Sequence, residues 1–345
     1  MFMVVILHIL TQGGVLNASG RFTSQYEAGW LLQTAAFCAV DLYALISGYV
    51  WVYAEYRYRN IVELWMQVLF YTVPITILFW IFVPSSVSVI EWVKAICPIM
   101  FNQYWYFSSY VALFLFIPLL NTILDKMEKR QLQICIGMIL LFFSCIQTLF
   151  YSDAFGTNDG YSAIWLMVLY LVGGYVRKYS PNKNRKAARF LTGYLVLIGL
   201  TWLSKLIIET LTLHVLGEVR AGNYLISYKS PTIFLAAVCL LLFFEKINIS
   251  SFWKKLIRVL SPMAFGVYLI HGHPLVYNYL LKNRFVAYAT FPWITEIFAV
   301  IGTAICINFA CYAIDFVRVK LFERVHIRKK IDLFESRIKS RSLSR

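Results

Sequence analysis

A chain of 345 residues that is 60% hydrophobic and only 14% charged, with mean hydropathy +0.67, is not an ordinary soluble domain, in which about a quarter of residues are charged. Apolar runs near twenty residues recur along it, and in lipid such runs must satisfy their own backbone polar groups as helices. The net charge of +15 does not point to nucleic acid, because the basic residues gather in short loops on alternate sides of the apolar runs.

Met1–Leu10 is apolar except for His8, and an ionisable group inside such a run is a functional candidate. Thr11–Gly29 reads as a polar loop, and Trp30–Tyr53 as a second span that contains Asp41 and Ser47 and ends in the basic turn Arg57–Arg59. Ile61–Val83 is a third span interrupted by Pro74, followed by a loop over Pro84–Tyr104. Trp105–Leu124, Leu132–Phe150 and Ser162–Val176 are the next three, the last ending LVGGYVRKY with Arg177 and Lys178. After the polar connection Arg177–Arg189 come Phe190–Leu213 and a short Pro231–Phe244.

Glu245–Leu260 is apolar on one face and basic on the other, as an interfacial helix would be. A ninth span opens at Ser261–Pro262, a cap followed by proline at the first helical position, and runs through Tyr268 and His271. A tenth covers Phe291–Leu321, and the rest is strongly basic. On this reading the chain is an all-α polytopic membrane bundle of about ten spans. Of its 32 Lys and Arg, 25 lie on one side, 6 on the other, and Lys205 lies within a span, which puts both termini in the cytoplasm. The seven cysteines form no CxxC pair and read as small core hydrophobes.

Counted from their span ends, His271 and Asp41 fall near mid-depth, so His8, His271 and Asp41 are expected to meet in one buried polar cluster. A carboxylate bonded to an imidazole would fix its tautomer and make it a general base, whereas a purely structural cluster would only hold helices together. His271-Gly-His273 does not read as a metal site, since residues two apart do not share a helix face and no acidic or thiol ligand is near. Ser47–Gly48 and Gly173–Gly174 read as small pairs that let helices approach closely, and Ser47 lacks the strand-to-helix setting of a nucleophile elbow. Lys205 and Glu209, four apart, are expected to neutralise each other. Arg57, Arg59, Arg177 and Lys178 are accounted for equally by positive-inside topology and by docking of a phosphorylated cytosolic donor.

The combination of VVILH with His8, DLYALISGYV (Asp41–Val50), the RYRN turn, WYFSSYVALFLFIPLLN (Trp105–Asn121), LVGGYVRKY and FGVYLIHGHP (Phe265–Pro274) resembles acyltransferase family 3. These are the integral-membrane O-acetyltransferases of bacterial surface polysaccharides and related acceptors. The resemblance implies a single transmembrane acyltransferase domain over residues 1–321 with a basic cytoplasmic tail over 322–345, in a bacterial cytoplasmic membrane. It implies transfer of an acetyl or similar short acyl group from cytosolic acetyl-CoA to a hydroxyl of a glycan or its lipid-linked precursor. Membrane lipid would be the surrounding partner, and no metal would take part.

His8 matches the family's catalytic histidine, as general base or transient acyl carrier, with Asp41 or His271 orienting it. Tyr268 and His271 match a C-terminal YLIH element, and Tyr268 or Ser47 would supply an oxyanion donor. Arg57 and Arg59 match the turn on the CoA side. The family's basic residue, separated from the histidine by ten residues, would fall upstream of Met1, and ten helical residues span only about 15 Å, so the first span is expected to be truncated. The competing expectation is a transporter or flippase for glycolipid precursors that uses the same buried cluster for proton coupling; no inverted repeat supports it.

Overall fold

The computed structural model describes residues 1–179 and 186–343, so the centre of the polar connection after Tyr179 lies outside the described residues. Among these residues every regular element is helical. In chain order they are α1 (Phe2–Leu10), α2 (Val15–Ala18), α3 (Ser24–Phe37), α4 (Ala39–Trp51), α5 (Tyr58–Phe82), α6 (Val89–Ile96), α7 (Trp105–Lys126) and α8 (Lys129–Leu140). A π-helical stretch over Leu141–Ile146 leads into α9 (Gln147–Leu149), then α10 (Ala163–Tyr179), α11 (Ala187–Leu216), α12 (Pro231–Lys246) and α13 (Ser251–Leu260). The last are α14 (Ala264–His271), α15 (Pro274–Val276), a second π stretch over Tyr277–Leu281, α16 (Trp293–Arg324) and α17 (Ile327–Leu343).

Among the described residues six helical stretches are long and apolar enough to cross a membrane, or seven if the pair Ser251–His271 and Pro274–Leu281, bent by 58°, makes one crossing. The expected ten spans are therefore not met by length. α1 has 9 residues, α10 has 17 and α12 has 16. Packing accounts for the short ones: α10 buries ten of its residues and α12 seven, against neighbouring helices rather than lipid.

Three further boundaries differ from the sequence reading. The second span starts earlier, at Ser24, because the Thr23 side chain caps it by accepting from the Tyr26 N–H at 3.2 Å, and it is broken at Cys38. Ser261–Pro262 does not open a new helix, since a 3-10 turn over Ser261–Met263 joins α13 to α14. The basic C-terminal segment, left without an element in the sequence, is a helix over Ile327–Leu343. It folds back on α5, with Arg59 Nη1 donating to Asp332 at 2.8 Å and 3.0 Å and Arg328 Nε to Glu63 at 2.8 Å. α13 buries none of its residues, and Phe252, Trp253 and Ile257 stand exposed beside Lys254, Lys255 and Arg258. All seven cysteines are free, but only Cys38 and Cys311 are buried, so core packing accounts for those two while the rest face outward or partly so.

The tightest helix contact is between α4 and α10, and it is built on glycine. A Cβ at Gly48 would strike the Tyr170 carbonyl, and one at Gly173 the Leu45 carbonyl. Lipid offers no hydrophobic drive between helices, so close backbone packing of this kind holds them. α11 is tied to α3 by charge. Lys205, 1% exposed, sends Nζ to Glu209 at 2.9 Å and to both Glu27 oxygens at 3.1 and 3.2 Å, and lies 3.9 Å from the Tyr26 ring centroid.

Two stability outcomes follow, each read by thermal unfolding of the detergent-solubilised protein. Gly173→Leu forces α10 off α4 and lowers stability by about 1–3 kcal/mol. Lys205→Met strands the buried Glu209 carboxylate and the half-buried Glu27 carboxylate and costs about 3–5 kcal/mol, most of which returns when Glu27→Gln and Glu209→Gln are added.

Candidate active site

α1 is a run of branched and long apolar residues that packs on α3 and α16 and buries Val4, Val5, Ile6, Leu7, Ile9 and Leu10. Its one imidazole, His8, faces a cavity. α14 ends opposite it at His271, because Gly272 and Pro274 follow and proline cannot continue the ladder of N–H donors. The two rings stand 5.0 Å apart between centroids, tilted by 48°, and Tyr277 meets His8 edge-on at 6.3 Å from the second π stretch.

The hydrogen bonds fix how this pair can work. His271 Nδ1 lies 2.5 Å from the Val267 carbonyl, which can only accept, so Nδ1 carries the hydrogen and Nε2 the lone pair. His271 Nε2 is buried without a partner, and so is His8 Nδ1. One nitrogen of each ring is thus left over beside the other ring. His273 points elsewhere: its Nδ1 accepts from the Leu275 N–H at 3.2 Å, and its Nε2 lies 3.2 Å from Gln103 Nε2. Among the described residues no group of three or more His, Cys, Asp or Glu side chains is placed to hold a metal ion.

The expected triangle of His8, His271 and Asp41 does not form. Asp41 is fully buried, and its Oδ1 accepts from Trp165 Nε1 at 3.0 Å across the α4–α10 contact. Its side chain sits behind the wall that Tyr43 and Ser47 of the same helix present to the cavity. The depth count was compatible with a meeting, but the helix rotation set by the glycine packing turns the carboxylate toward α10.

The cavity has a volume of about 600 Å³ and is elongated. Its lining takes in Ser261, Ala264 and Gly272, and Ser261 to Gly272 is about 16 Å of chain at 1.5 Å per helical residue. Tyr268 lines it with its ring 6.5 Å from His271. Ser47 lines it too, its hydroxyl donating back to the Tyr43 carbonyl at 2.9 Å. Tyr106, which the sequence reading passed over within WYFSSY, lines the same wall with a buried hydroxyl that has no partner.

Two more hollows adjoin this one. At the Leu64 end lies a cavity of about 630 Å³ lined by Arg318, Arg328, Lys329 and His326 together with Glu63 and Glu323. Arg318 is gripped by Asp315 through two bonds of 2.7 Å, and Tyr71 donates to the same carboxylate at 2.5 Å. Sequence reading counted Arg318 only as a topology charge, since Tyr71 lies far from it in the chain. At the other end a polar cavity of about 300 Å³ shares Thr11, Gln33, Phe37 and Tyr161 with the central one.

None of the four basic residues expected at a donor site lines these hollows. Arg57 pairs with Glu55 and Arg59 with Asp332, both near the basic cavity's rim at the start of α5. Arg177 donates to the Tyr49 hydroxyl at 3.1 Å, and Lys178 to the Leu124 carbonyl at 2.6 Å and Asp125 at 3.1 Å.

A bundle of apolar helices around a hollow lined by His8, whose ring stands 5.0 Å from that of His271, defines an integral membrane protein with an internal cavity. The chain belongs to acyltransferase family 3: the family's profile, described as an acyltransferase domain, matches residues 1–313. It is a membrane acyltransferase. No curated protein and no solved structure matches it.

The geometry fixes one spectroscopic outcome. In neutral His271 the 15N shifts report hydrogen on Nδ1 and a bare Nε2; the reverse tautomer would contradict the bond to Val267.

Proposed function

We propose that the chain carries a short acyl group, acetyl in the first instance, from cytosolic acetyl-CoA to a hydroxyl of a surface polysaccharide or its lipid-linked precursor. The observation behind this reading is the run of adjoining hollows with His8 midway, which lets donor and acceptor approach one imidazole from opposite ends. The end lined by Arg328 and Lys329 suits the phosphates of a nucleotide thioester, because guanidinium forks and ammonium groups meet phosphate charge directly. Arg57 and Arg59 flank that end, while Arg177 and Lys178 are engaged in holding α10 to its neighbours. With this end cytoplasmic, both termini lie in the cytoplasm of a bacterial cell, in keeping with the placement of the basic residues.

His8 is the general base. A small rotation brings His8 Nδ1–H onto the lone pair of His271 Nε2, which leaves the His8 Nε2 lone pair for the cavity. There it takes the acceptor hydroxyl's proton as that oxygen attacks the thioester carbonyl, and it returns the proton to the departing CoA sulfur. Tyr106, Tyr268 and Ser47, which line the cavity, are the candidate donors for the developing oxyanion. Asp41 serves the fold through Trp165.

Membranes that contain the full chain, given labelled acetyl-CoA, are expected to move label into the hydroxyl acceptor. His8→Ala should cut this by about 10²–10⁴-fold, and His271→Gln should lower kcat while leaving the acceptor KM in place. Undiminished transfer by His8→Ala would overturn the assignment. Glycolipid movement across the membrane without CoA release would favour a transporter instead.

A further inference from the structure

α13 carries its apolar residues on one side and its cations on the other. Phe252, Leu256, Val259 and Leu260 recur at the spacing of one helix face, with Trp253 and Ile257 beside them. Lys254 and Arg258, four residues apart, take the opposite side, and Lys255 lies at the boundary. Every residue from Ser251 to Val259 is exposed, Phe252 at 66% and Trp253 at 54%. Neither face is used up in packing on the bundle.

The three cations also lack a counter-charge. No Asp or Glu occurs between Glu245 and Glu296, and among the described residues Lys254, Lys255 and Arg258 form no ion pair. By contrast Arg59, Lys178, Arg318 and Arg328 each meet a carboxylate of the chain. The cations of α13 are left for a partner outside it.

Depth says which partner. α13 continues through the Ser261–Met263 turn into α14, which ends at His271. Ser261 to His271 is about 15 Å of helix, half of the roughly 30 Å hydrocarbon core. With His271 at mid-depth, α13 starts at the border between acyl chains and headgroups. Pro262 lines the basic cavity together with Arg328 and Lys329, so this border is on the side rich in Lys and Arg. Apolar side chains of α13 suit the acyl region there, while Lys and Arg extend to phosphate. A second copy of the chain suits α13 less well, because its 32 Lys and Arg against 17 Asp and Glu bring like charge.

The root of α13 lies where the hollows meet. Ser261 lines the central cavity and Pro262 the basic one, so the turn belongs to both walls. Four residues after Pro262, Gly266 lies so close to Asp315 of α16 that a Cβ would strike its carboxylate. α14 therefore has no slack beyond that point, and a movement of α13 falls on the turn. We propose that α13 docks on anionic phospholipid of the cytoplasmic leaflet through Lys254, Lys255 and Arg258, and that this docking holds the turn between the two hollows. Neither part depends on which group the protein transfers.

The test is amide hydrogen exchange on the full chain in nanodiscs of phosphatidylcholine alone or with about one third phosphatidylglycerol. Each Lys or Arg at an anionic leaflet gains about fivefold in affinity, so exchange over 251–260 is expected to slow by at least about tenfold in the anionic discs. The Ser261–Met263 turn should slow with it. Salt at about 1 M, which cuts the Debye length to about 3 Å, should remove most of the difference. A triple variant with Lys254→Gln, Lys255→Gln and Arg258→Gln, its melting in detergent unchanged, should exchange alike in both discs. Equal exchange of the wild-type helix in the two discs, or an undiminished lipid difference in the triple variant, would overturn the docking. So would protection of α13 that rises with protein concentration in lipid-free detergent, which makes a second copy the occupant. Slowing that stops at Leu260 would overturn the hold on the turn.

Discussion

The close approach of α4 and α10 is the constraint on which the chamber depends. Gly48 and Gly173 each sit against a carbonyl of the opposing helix, so the two backbones meet with nothing between them. That contact sets the rotation of α4. The same rotation sends Asp41 to Trp165 and leaves Tyr43 and Ser47 on the cavity wall. In lipid, where apolar side chains gain little by leaving one apolar surrounding for another, such steric fit decides which face of a helix looks inward.

Polar groups in the bundle fall into two kinds. Some are fully paired and hold helices together, as Lys205 does with Glu27 and Glu209, or Arg318 with Asp315 and Tyr71. Others are buried and unpaired: one nitrogen each on His8 and His271, the Tyr106 hydroxyl, and groups of Gln33, Gln147 and Thr148. Several of the second kind belong to residues that line the hollows, whereas Glu296 and Asn308, which also have buried unpaired oxygens, do not.

Much of the helical order was legible because apolar runs, proline and basic turns mark helix ends directly. The small-residue pairs also read correctly as packing, and Lys205 and Glu209 as partners. Crossing number was harder, since α10 and α12 are apolar like the spans yet short and enclosed, a matter of neighbours that hydropathy does not register. The His8–His271 pair was readable from depth alone, whereas Asp41 was not, because depth says nothing of rotation about the helix axis. Tyr106, Gln33 and Gln147 carried no signal in the sequence: each is an ordinary residue with one buried polar atom that the fold leaves without a partner. Arg318 was hidden because Tyr71 joins it and Asp315 only in three dimensions.

The π stretch before Gln147 has a genetic implication. A π turn holds one more residue than an α turn over a similar rise, so it amounts to a single-residue insertion kept within a helix. Loss of one residue between 141 and 146 would restore a plain α-helix and swing everything after it by about 100°. Gln147 and Thr148 would then leave the small polar cavity they line while the helix stayed continuous. The wall that carries Gln147 and Thr148 can therefore be re-aimed by one codon gained or lost, without disturbing the place where the histidines meet.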